Sequence, residues 1–243
     1  MKQQLILSLL LYGCVTTWYA PNEFIQQDIK TTDFEIRTYQ KKQSKQQPVH
    51  IYIEGDGYAF DARGTPTHNP TPHNTFLREL ATSDIHPNVI YMARPCQYNM
   101  SAKCTQSDWT NGRFSQKIIN NMSQAIKKIA QNQPITLIGY SGGALLSGLI
   151  IKQNPDINVQ EWVTIAGVLN HTDWTTYFGD KPLIKSQDMD TLPQLPQTHY
   201  IAEHDNVVPN ELSQKWIGDK NLTTIPNATH NKFPNLKINH TIY

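Results

Sequence analysis

An α/β protein, a sheet flanked by helices, is what three observations in this sequence predict. From Phe34 onward, short β-rich runs alternate with helically spaced apolar positions. Two of the apolar runs, Val49 to Ile53 and residues 135–138, lead directly into glycine-rich turns, as buried strands of a layered sheet do. The 243 residues are enough for one substantial core and contain no internal repeat and no internal linker.

Val49 to Ile53 is β-branched and ends in Glu54-Gly55-Asp56-Gly57, a strand entering a turn. Asn88 to Met92 reads as the next strand. Ile118, Ile119, Met122, Ile126 and Ile129 fall at helical spacing, with Lys127 and Lys128 opposite, so an amphipathic helix ends before Pro134. Residues 135–138 form a third strand. Residues 144–151 are apolar almost throughout, as in a helix buried against a sheet, and stop before Asn154-Pro155. A strand is expected over 162–168, and further strands at 199–202 and Leu222 to Ile225, with a helix over 210–216 between them. Residues 169–196 are irregular, contain Trp174, Tyr177, Phe178 and three prolines, and are the candidate for a short lid-like insertion (169–197) over a pocket.

Apolar residues make up 38% of the chain and charged residues 17%, and the mean hydropathy is −0.51, polar but with too little net charge for disorder. A net charge of +1 gives no broad electrostatic reason to expect nucleic acid or an anionic membrane surface. The start of the chain is different. Lys2 precedes a nearly all-apolar stretch over 5–11, then Tyr12-Gly13-Cys14, which reads as an export signal over 1–13, too short to span a bilayer permanently. Leu11-Tyr12-Gly13-Cys14 resembles a bacterial lipobox, which makes Cys14 a lipidation site, residues 14–33 a tether and 34–243 the folded domain. Cleavage after Ala20 would put Pro21 just past the cut, where such signals generally avoid it. Cys96 and Cys104, eight positions apart in a polar segment, suit a disulfide-closed loop in an exported protein and lack metal-site spacing.

Ile135-Thr136-Leu137-Ile138-Gly139-Tyr140-Ser141-Gly142-Gly143-Ala144 places a Gly-x-Ser-x-Gly pentapeptide between a strand and a helix. Such a turn needs glycines because its serine is strained and neighbouring side chains would collide with strand and helix. A serine hydroxyl is a weak nucleophile until a base takes its proton and an acid orients that base, and in this arrangement the partners follow in the order acid, then histidine. Asp205, just after a strand and before Val208-Pro209, is the acid, ahead of Glu203 and Asp190. His230, in the loop after the last strand, is the base, ahead of His204 and His240. The amide of Gly142 and that of Asp56 or Gly57 are the candidate oxyanion donors. Arg63 or Arg94 could pair with the Asp56 carboxylate. The nine histidines show no HExxH or comparable spacing, so no metal and no cofactor is implied.

From Val49 to His230 these motifs resemble the α/β-hydrolase superfamily. The chain is further similar to uncharacterised proteobacterial lipoprotein hydrolases, through Glu54-Gly55-Asp56-Gly57, Ala93-Arg94-Pro95-Cys96-Gln97-Tyr98, Trp109 with Gly112-Arg113-Phe114, and Leu192-Pro193-Gln194. The resemblance implies a mostly parallel twisted sheet with helices on both faces and a triad of Ser141, Asp205 and His230. The expectation is then a serine hydrolase of the bacterial cell envelope, cleaving a small-molecule or lipid ester and held to a membrane by its lipidated N-terminus. A lipase or thioesterase would use the same residues. A non-catalytic binding lipoprotein on the same scaffold is the alternative of another class.

Overall fold

The computed structural model describes residues 19–218 and 221–238. The proposed signal over 1–13, Cys14 and His240 lie outside them. Eight strands form a single sheet in the order β1-β2-β4-β3-β5-β6-β7-β8. Its centre consists of β3 (Val49–Ile53), β4 (Asn88–Met92) and β5 (Ile135–Tyr140), buried at every position, and β6 (Val159–Ile165) is buried from Glu161 onward. Strands covered on both faces read as continuous apolar runs, which is why they stand out in the sequence. With β7 (Gln197–Ala202) and β8 (Leu222–Ile225) these strands run parallel. The edge pair, β1 (Ile25–Lys30) and β2 (Glu35–Lys42), is antiparallel, and β2 joins β4 antiparallel.

Alternation along each strand divides the core into two layers. Ile51, Ile53, Ile90 and Leu137 face a layer shared with α2 (Gln116–Ala130) and α3 (Gly142–Gln153), and Trp216 and Ile217 at the end of α5 (Asn210–Ile217) pack on the same layer. Tyr52, Val89, Tyr91 and Ile138 face the other layer, covered by α1 (Phe76–Ser83) and by Phe233. Helices therefore lie on both faces of a mostly parallel sheet, as the α/β-hydrolase resemblance implies. The helix expected around Ile118 to Ile129 is capped by Ser115, whose side chain accepts from the Ile118 amide, and ends at Gln131 in the left-handed conformation.

Three sequence expectations change. The domain does not begin at Phe34: residues 25–30 of the proposed 14–33 tether are strand β1, paired along its length with β2. Only Ile29 of β1 is buried, and a polar edge strand carries little periodic signal. The strand expected over 162–168 starts earlier and stops at Ile165, where Ala166 takes a positive φ of 46° and turns the chain. The insertion expected to be irregular contains α4 (His171–Phe178), capped by the Asn170 side chain and ended by Gly179 in the left-handed conformation. Beyond α4 the segment is irregular but anchored, with Leu183 and Met189 buried in the core.

Candidate active site

Ser141 sits where β5 gives way to α3. Its φ of 51° and ψ of −123° are unfavourable for any residue with a side chain, and the backbone is held there from three directions. The Ser141 amide donates to Ile165 (2.9 Å), while its carbonyl accepts from Ala144 (3.0 Å) and Val168 (3.1 Å). A Cβ on Gly139 would lie 2.5 Å from the Gly143 carbonyl oxygen, and one on Gly143 would lie 2.5 Å from that of Ile53. Any side chain at either position would push α3 off the sheet.

Ser141 Oγ lies 3.0 Å from His230 Nε2, and His230 Nδ1 lies 2.9 Å from Asp205 Oδ2 and 3.1 Å from Oδ1. These three residues, spread over 89 positions, form one hydrogen-bonded chain. Asp205 is held by its own turn, since Oδ1 accepts from the amides of Val207 (2.9 Å) and Val208 (2.8 Å). His230 sits at a tight bridge between Thr229 and Lys232, whose amides bond each other's carbonyls at 2.9 and 3.1 Å. Its side chain is 8% exposed and that of Asp205 1%, so their mutual attraction is little weakened by solvent.

The alternative acids and base that fall among the described residues serve elsewhere. Glu203 Oε2 accepts from the Asn227 amide (2.7 Å), and the His204 amide donates to the Ala228 carbonyl (2.9 Å), so the residues flanking the acid brace the histidine loop. The His204 ring is largely exposed, and Asp190 pairs with Lys152. One contributor goes unmarked by sequence reasoning. Tyr140, the variable residue before the serine, donates its hydroxyl to the His230 carbonyl (3.1 Å) and also bonds the Asn231 side chain. Burial raises the pKa of this phenol, so the hydroxyl keeps its proton.

The turn after β3 presses on the serine: a Cβ on Gly55 would come 3.1 Å from Ser141 Cβ. Glu54 is buried beneath it. Its Oε1 accepts from the Gly55 amide (2.9 Å) and its Oε2 from the Tyr91 hydroxyl (2.7 Å), while burial raises its pKa. Asp56 lies against the first turn of α3, where a carboxylate is favoured. It pairs with Arg94, one of the two expected partners. The other, Arg63, instead reaches Asp61 at 3.3 Å on the surface, and Arg113, which the sequence did not suggest, brings Nε to 3.0 Å from Asp56 Oδ2. Gln97 ties these parts together, accepting from the Arg94 amide (2.9 Å) and donating to the Gly55 carbonyl (3.0 Å). The Cys96–Cys104 disulfide, expected from spacing, closes the loop that carries it. Among the described residues no hydrogen bond uses the amide of Gly142, Asp56 or Gly57.

Solved structures of the same architecture match along most of the chain. One is a serine hydrolase without a lid from Xanthomonas campestris, 13% identical, with a TM-score of 0.55 over 86% of this chain and 87% of that one. Another is an α/β serine hydrolase homologue from Coxiella burnetii, 14% identical, with a TM-score of 0.56 over 88% and 92%. The chain has the α/β-hydrolase fold. A third match is the thioesterase domain of the curacin biosynthetic pathway, 14% identical, with a TM-score of 0.52 over 86% and 95%. No family model and no curated protein matches the sequence. At these identities the likeness extends to the fold.

In this α/β-hydrolase fold, Ser141 and His230 open onto a cavity of about 310 Å³, also lined by Asp56, Gly57, Phe60, Arg113, Phe114, His171 and Trp174. Residues 169–196 contribute to its wall through α4. Asp188 holds the start of that helix, accepting from the His171 amide (2.6 Å) and from the Thr172 amide (3.1 Å). Trp174 Nε1 donates to the Val207 carbonyl (2.7 Å), which ties this wall to the acid loop.

Proposed function

We propose that the protein is a serine hydrolase of carboxylic esters with a small acyl or leaving group. The observation that carries the reading is the hydrogen-bonded chain from Ser141 through His230 to Asp205, open to a cavity at the end of the sheet. Ser141 Oγ attacks the ester carbonyl carbon as its proton passes to His230 Nε2. Asp205 holds the imidazole in the tautomer that accepts at Nε2 and stabilises the imidazolium. The tetrahedral oxyanion is received by the amide of Gly142 and by that of Asp56 or Gly57 in the turn after β3. The carbonyl re-forms, the ester C–O bond breaks and the proton on His230 goes to the leaving alkoxide. Water, deprotonated by His230, then cleaves the acyl-enzyme and restores Ser141.

A cavity of about 310 Å³ with charged and aromatic lining favours short substrates over long-chain lipids. A thioester would pass through the same steps, and the match to a thioesterase domain is compatible with it. The protein is further placed in the bacterial cell envelope, a reading supported by the apolar stretch before Cys14 and by a disulfide of a kind rare in reducing compartments.

The test is hydrolysis of p-nitrophenyl esters from acetate to palmitate by the purified protein. Turnover should peak at short acyl chains, and Ser141→Ala or His230→Ala should lower kcat by ~10³-fold or more. No turnover on any ester, together with no reaction of Ser141 with a fluorophosphonate, would favour the binding-protein alternative.

A further inference from the structure

Arg113 is a charged residue only 4% exposed, yet it lines the cavity next to Ser141. Its guanidinium carbon lies 5.9 Å from the ring centre of Phe60 and 5.7 Å from those of Phe114 and Trp174, so aromatic faces hold it in place. Among the described residues its one ion pair is to Asp56, and Nε, at 3.0 Å, is not aligned to donate a hydrogen bond. Arg94 already bonds the same carboxylate and spends its second amino group on the Arg113 carbonyl. Two guanidinium groups thus share the Asp56 carboxylate, with buried Glu54 acting on Arg94 from beneath, and Arg113 keeps unused donors at the cavity wall. A buried guanidinium ordinarily satisfies most of its five N–H groups.

His171 is in a similar position. It is 6% exposed, lines the same cavity and stacks parallel to the Phe114 ring at 5.9 Å, the ring that Arg113 also covers. Neither of its ring nitrogens makes a well-aligned hydrogen bond, although the Ser186 backbone is close enough to act on the ring. The nearest acid, Asp188, lies 3.4 Å from Nε2 with both oxygens engaged by the first residues of α4. Burial lowers the pKa of His171, which favours the neutral ring.

We propose that Arg113, with His171, forms a carboxylate-binding subsite, and that the preferred substrates are esters carrying a free carboxylate a few atoms from the scissile carbonyl, such as monoesters of short dicarboxylic acids. This rests on the serine-hydrolase reading and adds the substrate class to it. A planar guanidinium fork matches a carboxylate bidentately, and a neutral amide of the same length offers a poorer partner.

The experiment is protection of Ser141 from a fluorophosphonate by glutarate, compared with pentanamide. Glutarate should protect at ~10-fold lower concentration, and Arg113→Lys, which keeps the charge and loses the fork, should remove most of that advantage. Equal protection by the two compounds, or an advantage undiminished in Arg113→Lys, would overturn the subsite. Should Arg113→Lys fail to fold, as judged by thermal melting, the comparison passes to His171→Gln, where a reduced glutarate advantage is expected and an unchanged one counts against the proposal. If Ser141 is not labelled at all, the hydrolase reading fails separately. Calorimetric titration of glutarate into the wild-type protein and the variants then decides the subsite, with heat of binding lost in the variant supporting it and none in the wild type overturning it.

Discussion

Asp56 shows how much of this site depends on single contacts. Its carboxylate lies between Arg94, Arg113 and the first turn of α3, and it belongs to the loop that presses on Ser141. Without it, two buried guanidinium groups would be left facing each other with only the more deeply buried Glu54 acting on Arg94. Asp56→Asn keeps the shape and removes the charge, and the expected loss of stability is about 3 kcal/mol, because breaking a largely buried ion pair leaves an uncompensated charge. A urea unfolding midpoint measures this, and an unchanged midpoint would mean that solvent already screens the cluster. Arg94 is the member for which desolvation dominates, lowering its pKa, so it depends on Asp56 more than the exposed Arg63 depends on Asp61.

At the scale of elements, β6 and β7 carry a buried titratable group away from Ser141, His230 and Asp205. His199 on β7 lies 2.8 Å from Thr164 Oγ1 on β6 through Nδ1 and 3.0 Å from Gln197 Oε1 through Nε2, with Trp162 edge-on to its ring. Burial pushes its pKa down from 6.5 to about 4. The unfolded chain therefore binds a proton between these values that the folded one refuses, so His199 lowers stability as pH falls from about 6.5 towards about 4. At pH 5 the effect is about 2 kcal/mol relative to pH 7. His199→Gln should flatten the pH dependence of the denaturation midpoint by that amount, and parallel curves for the two proteins would refute the assignment. The braces around the site are also a matter of elements, since Gln97 joins the disulfide loop to the β3 turn and Glu203 joins the β7 turn to the loop after β8.

For the whole molecule, the layered sheet places the ends of β3, β5, β7 and β8 at one edge, where the catalytic candidates meet, as open parallel sheets generally do. The export signal proposed over residues 1–13 would set where that body resides. Expressed from its first residue in bacteria, the chain should take up labelled palmitate, and Cys14→Ala should abolish the label. Labelling that persists in the variant, or none in the parent, would place the protein outside the lipoprotein class. Lipid at this position would hold the folded body at a membrane surface, through a segment that precedes the edge strand β1.

Local chemistry is what the sequence determined by itself. The central strands were legible because burial on both faces makes them uniformly apolar, and Ser141 was legible because its strained turn requires glycines at fixed offsets. Asp205 and His230 could be named from their places after β7 and β8, although only the folded chain brings them to 2.9 and 3.0 Å of their partners. Tertiary structure alone decided what depends on distant contacts. The polar strand β1 is held by pairing rather than by pattern, and α4 is held by Asp188 from beyond its own end. Arg113 reaches Asp56 across 57 positions, a pairing that no spacing could announce, because charge partners are chosen by proximity in space rather than by periodicity along the chain.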